Sequence, residues 1–217
     1  MRKYLFVICL TLCTALFAQE QPAHKNPPIP VEFSFGHNHA NLQAVFNRAF
    51  TETSRFGFFN VTTASVPYQN EDGANELVSI NTLTYEFMKN LRLSAGVQFH
   101  FLKGFVPTTG VQYTYATKTW LIILTPNLNY KPSLNFETIA IVEFKPKITK
   151  KLGVYTRVQG LYNQNLDSGF HDRSYLNIRA GLSYNTYAFG FAANWDNYGP
   201  NNRSENNFGV FIRHGFN

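Results

Sequence analysis

The chain has 217 residues, of which 44% are hydrophobic, 16% aromatic and only 15% charged, with a formal net charge of +6. An ordinary soluble domain carries roughly 25% charged residues, so this composition argues against a conventional water-facing surface. No basic run is longer than Lys150-Lys151, which removes nucleic acid as a partner.

Residues 1–18 read as a secretory signal peptide: Arg2 and Lys3 are followed by the almost wholly apolar stretch from Tyr4 to Phe17, with cleavage expected after Ala18. Both cysteines, Cys9 and Cys13, fall inside it, so the exported part has no thiol or disulfide chemistry. Residues 19–30 hold four prolines between Pro22 and Pro30 and read as an extended periplasmic leader. From there the longest apolar run is Trp120 to Leu124, too short for a membrane-spanning helix.

The period of residues 31–217 is two. In Leu91 to Phe101 every odd position is apolar and every even one is polar or glycine, and the pattern returns in Tyr175–Tyr184 and Tyr187–Trp195. Runs of about ten residues with aromatics near their ends fit tilted strands with one face to lipid and one to a polar lumen. Strands are expected at 31–36, 41–50, 56–68, 77–88, 91–101, 109–118, 120–130, 134–146, 153–164, 174–184, 187–197 and 207–216. Short turns alternate with longer loops, and the strand number is even. This predicts an all-β fold: a single antiparallel up-and-down transmembrane β-barrel of about twelve strands, with ten possible because Asn41 to Phe50 alternates poorly.

The chain closes on Asn207-Phe208-Gly209-Val210-Phe211-Ile212-Arg213-His214-Gly215-Phe216-Asn217. This resembles the last strand of small Gram-negative outer-membrane β-barrel proteins, in which alternating apolar residues lead to a terminal aromatic. The resemblance implies an outer-membrane location, lipid as the surrounding partner and the barrel-assembly machinery as reader of the C-terminal strand. In size the chain is similar to twelve-stranded monomeric porins for acidic sugars.

Parity places Arg92, Arg157, Arg179 and Arg213 in the lumen with Glu86, Glu137 and Glu143, joined by Glu32, Lys118, Lys145 and Asp196. Such a lining could filter small anionic solutes. The favoured reading is that these charges pair and fill a narrow barrel, with Arg157 and Arg179 buried against carboxylates such as Glu137 and Glu143. Tyr155, Leu161, Tyr175, Phe58 and Phe211 are expected to add bulk inside.

His37 and His39 could share one side of an extended segment, with His100 or His171 nearby, but no cysteine or close carboxylate joins them. No metal and no other cofactor is expected. Ser168, His171, Asp167, Asp172 and His100 are scattered pieces rather than a nucleophile beside an oriented base, so no catalytic residue is assigned and a non-enzyme is expected, with an outer-membrane hydrolase as the alternative. The functions that follow are a narrow passive pore or a filled barrel, or else a structural or accessory barrel of a cell-envelope assembly.

Overall fold

The computed structural model describes residues 26–69 and 75–216. The expected signal peptide, most of the expected leader and the acidic segment 70–74 lie outside the described residues. Twelve strands follow in order: β1 (Ile29–Gly36), β2 (His39–Ala49), β3 (Phe56–Pro67), β4 (Glu76–Met88), β5 (Leu91–His100), β6 (Gly104–Ala116), β7 (Trp120–Asn129), β8 (Asn135–Phe144), β9 (Leu152–Asn165), β10 (His171–Tyr184), β11 (Tyr187–Tyr198) and β12 (Arg203–Phe216). Each pairs antiparallel with its chain neighbours, and β1 pairs with β12 from Ile29↔Phe216 to Gly36↔Gly209, which closes the barrel. Closure leaves no free edge, the condition a sheet must meet to sit in hydrocarbon.

Alternation sets the two faces. Leu93, Val97, Leu182, Phe189 and Phe191 stand exposed on the outer wall, while Ser94, Gln98 and Arg179 on the same strands are buried inside. Aromatic pairs ring both ends: Trp120–Phe144 (4.5 Å between centroids) and Phe56–Tyr85 (4.9 Å) at the near rim, where β1 begins and β12 ends, Trp195–Phe208 (5.3 Å) and Phe99–Phe105 (5.2 Å) at the far rim. His214, polar yet on the outward parity, lies between Tyr187 (4.3 Å) and Phe216 (4.5 Å) and becomes part of the near-rim girdle.

Two expectations need correction. Phe59, not Phe58, fills the lumen: Phe59 is buried beside Val61 and Ile80 in the inner cluster. The run Phe56-Gly57-Phe58-Phe59 is aromatic on both parities, so sequence alone could not phase it. Three far-rim loops are also shorter than expected, because β6, β10 and β12 begin at Gly104, His171 and Arg203, several residues before the alternation becomes legible. At the near rim, Asn26 exchanges two hydrogen bonds with the Ala49 backbone (2.8 and 3.0 Å) and Arg48 donates to the Pro27 carbonyl (3.4 Å). Asn26 and Pro27 are therefore docked against the near end of the barrel.

Glycines let the wall bend. Gly181 pairs with Gly190 and Gly36 with Gly209, and a Cβ at Gly190 would lie 2.2 Å from the Ala180 carbonyl oxygen. Adjacent backbones approach there more closely than any side chain allows, as at the glycine kinks that curve a barrel.

Candidate functional site: a charge-paired lumen between two cavities

The lumen is filled at mid-depth. On one wall Val45, Phe59, Val61, Ile80, Ile123, Ile139 and Ile141 form an apolar cluster, with Leu121 and Leu161 against it. On the other, Tyr155 and Phe211 meet at 5.6 Å between ring centroids and pack with Ala188 and Ala192. Burying apolar side chains inside a membrane barrel is favourable for the reason it is in a soluble core: water is displaced from both surfaces.

Charges complete the filling. One carboxylate oxygen of Glu32 accepts from Arg157 Nη2 and from Arg179 Nε, each at 2.7 Å. Arg179 also donates to Asn194 Oδ1 (2.7 Å) and to the Ile178 carbonyl (3.0 Å). Below, Glu143 accepts from Arg213, from Lys145 at 2.8 Å and from the Tyr155 hydroxyl at 3.1 Å; Arg213 also bonds Tyr155. Glu86 accepts two bonds from Arg92 (3.0 and 3.1 Å), and Arg92 reaches Asn47 at 3.3 Å. Glu137 is different: Asn163 donates to it at 2.6 Å, and among the described residues no cation forms an ion pair with it.

Glu32, Glu86, Glu137, Glu143, Arg157 and Arg179 are buried inside the barrel, but the pairing differs from expectation. Arg157 and Arg179 take Glu32, not Glu137 or Glu143, because closure of β1 onto β12 brings Glu32 opposite Arg213 and within reach of β9 and β10. That contact spans 125 and 147 residues of chain, a separation that local pattern does not encode. Arg173, unassigned from sequence, holds Asp196 (2.8 Å) and Glu76 (3.0 Å) and stacks on Tyr198 at 4.7 Å.

The filling separates two cavities. The far one, about 720 Å³, is lined by Glu32, Gln43, Arg173, Tyr175, Asn177, Arg179, Asn194, Asp196 and Tyr198 among others. The near one, about 300 Å³, is lined by Pro27, Pro28, Val45, Ile123, Tyr155 and Arg213 among others, with Lys118 and Lys145 at its edge. Between them none of Glu32, Tyr155, Arg157, Gln159, Arg179 and Phe211 is more than 4% exposed. A water-lined passage would leave such side chains wet.

The isolated candidates from sequence fall in different places. His100 Nδ1 accepts from the Leu102 amide (3.1 Å) and Ser168 Oγ from the Phe170 amide (3.3 Å), each within its own loop, while Asp167 accepts from the Leu134 amide (2.9 Å) and ties the β9–β10 loop to the β7–β8 loop. His37 stacks on Phe208 at 5.7 Å. Among the described residues no three His, Cys, Asp or Glu side chains converge. His171 meets Ser174 rather than Ser168, at 3.0 Å.

A closed twelve-strand antiparallel sheet with an apolar exterior, two aromatic girdles and a polar interior defines the class: a small up-and-down transmembrane β-barrel. No protein-family model matches the sequence, and no curated protein matches it. Among solved structures the chain is similar to the KdgM porin (11% identity, TM-score 0.49, covering 87% of this chain and 99% of that one) and to the NanC porin (10%, 0.47, 87% and 98%). It is also similar to the outer membrane protein OprD from Pseudomonas aeruginosa (7%, 0.40, 82% and 61%).

Proposed function

We propose that the protein sits in the bacterial outer membrane as an occluded barrel, its far rim outward, presenting a receptacle for a small hydrogen-bonding solute instead of a freely open pore. The observation that carries this reading is the inaccessible layer from Glu32 and Arg157 to Tyr155 and Phe211 between the two cavities. Charge balance supports the solute class. The far cavity carries Arg173, Arg179 and Arg203 against Glu32, Glu76, Asp196 and Glu205, and each of these arginines is in an ion pair. Paired charges leave no uncompensated field to select anions. Tyr175, Tyr198, Asn177, Asn194 and Asn207 instead offer rings and amides to a neutral, polyhydroxylated molecule.

Electrical recording of the purified protein in planar bilayers tests the reading. The wild type should carry little steady current at moderate voltage, while membrane-inserted protein is verified by its heat-modifiable migration on gels. A robust ohmic conductance would overturn the occluded barrel and make it a passive channel.

A further inference from the structure

Where β10 begins, an irregularity in the ladder brings two side chains together on the outer wall. In a regular strand residues three apart point to opposite faces, yet His171 Nε2 lies 3.0 Å from Ser174 Oγ. The register with β9 shifts between His171 and Arg173. The extra residue, Asp172, sends its carboxylate over the barrel mouth to Lys103 Nζ (2.7 Å) and Asn135 Nδ2 (3.1 Å). The bulge thus re-aims one side chain, a use bulges often serve beside active sites.

The imidazole tautomer follows from its other contact. Nδ1 is 2.9 Å from the carbonyl oxygen of Gly199, which can only accept, so Nδ1 bears the proton. Nε2 is then the lone-pair nitrogen, and the Ser174 hydroxyl donates to it. A hydroxyl donating to a base whose far nitrogen is fixed by an acceptor is the arrangement that activates a serine nucleophile. Gly199 is itself tied down, its N–H donating to the Asp172 carbonyl at 2.8 Å, and its φ of 68° suits a residue without a side chain.

The setting specifies a substrate. Ser174 shares its face with Leu176, Ile178 and Leu182, and its register partners are Tyr162 and Asn197. It stands one outward position beyond the Leu176–Trp195 pair, hence at the far-rim aromatic girdle, the level at which acyl chains give way to polar headgroups. Toward the membrane interior, Gly160 pairs with Leu176 and leaves the wall bare between Tyr162 and Val158. A Cβ there would meet only the Tyr175 carbonyl oxygen, at 3.7 Å, so nothing occupies this shallow dent.

We propose that Ser174 and His171 form an esterase site at the far-rim membrane interface, cleaving acyl esters of membrane lipids whose chain lies along the Gly160 dent. The site rests on the reading that the barrel spans a membrane and is independent of whether the lumen conducts. Ser174 Oγ attacks the ester carbonyl carbon while its proton passes to His171 Nε2. The Asn197 amide, opposite Ser174, is the oxyanion donor. The carbon–oxygen bond to the alcohol then breaks, and the alcohol leaves with the proton from Nε2. A water molecule, deprotonated by the same nitrogen, attacks the acyl-serine; the carbon–Oγ bond breaks, the fatty acid departs and Oγ regains its proton from Nε2.

The test uses the barrel folded in detergent micelles, a fluorophosphonate probe, and p-nitrophenyl butyrate and laurate as substrates. The probe should label the wild type at Ser174, and Ser174→Ala should lose both labelling and turnover with its heat-modifiable band unchanged. His171→Gln should lower turnover by about 10²-fold or more. Gly160→Leu should slow laurate hydrolysis and spare butyrate; equal loss with both esters would overturn the acyl-chain seat. Wild-type protein that keeps its folded band but neither takes up the probe nor outpaces Ser174→Ala overturns the esterase site.

Discussion

Glu32 places one carboxylate oxygen between two buried guanidiniums, Arg157 and Arg179, so its removal leaves cationic groups without compensation at mid-barrel. Breaking a buried pair from one side costs about 3–5 kcal/mol, because the remaining charge keeps its desolvation penalty. Glu32→Ala should accordingly lower the urea concentration at which the heat-modifiable form is lost. Glu137 supplies the contrast. It accepts from Asn163 and, among the described residues, pairs with no cation, so Glu137→Gln removes a buried carboxyl group and keeps its shape. That variant should match the wild type or exceed it in the same titration. If both substitutions destabilised equally, shape and not charge pairing would govern the lumen.

At the scale of strands, the two faces can be read chemically because both cysteines lie within the first eighteen residues. Single cysteines should fall into three groups toward a membrane-impermeant maleimide applied to intact cells. At Asn177 or Asn194, which line the far cavity, labelling is expected. At Phe191, exposed on the outer wall, lipid should protect. At Ser94, inward but only 7% exposed, the filling should protect, and labelling there equal to Asn177 would indicate an open lumen. Much of this element-level order was legible in the sequence, since period two fixes facing wherever one face is apolar: Leu93, Val97 and Ile178 against Ser94, Gln98 and Asn177. It failed at Phe58 and Phe59, where adjacent aromatics blur the period, and at the starts of β6, β10 and β12, where glycine, proline and polar residues look like loop. The Glu32 pairing depends on closure of the ring. The His171–Ser174 contact depends on a bulge. Neither leaves a local signature.

For the whole molecule, the layer between the cavities has Phe211 as one of its buried members. Phe211 pairs in register with Ser34, which lines the far cavity, and packs on Tyr155 and Ala188, which line the near one. Its neighbours along β12 on the inner face are Gly209 and Arg213, the latter held by Glu143 and Tyr155, and across the sheet it faces Gly190. Phe211→Ala should destabilise the barrel by about 3–5 kcal/mol through lost burial and the space left behind. That space opens on polar groups at both ends, Ser34 above and Arg213 below, so it should hydrate and not stay dry. Ile139→Ala is the matched control: Ile139 lies within the apolar cluster, away from both linings, and its loss should cost about 2–5 kcal/mol while leaving a dry void. In planar bilayers Phe211→Ala should therefore carry a steady current that both wild type and Ile139→Ala lack. Current in Ile139→Ala as well would mean that loosening of the barrel, and not removal of a partition at Phe211, opens the path. No current in a folded Phe211→Ala barrel would shift the partition to the Glu32, Arg157 and Arg179 layer.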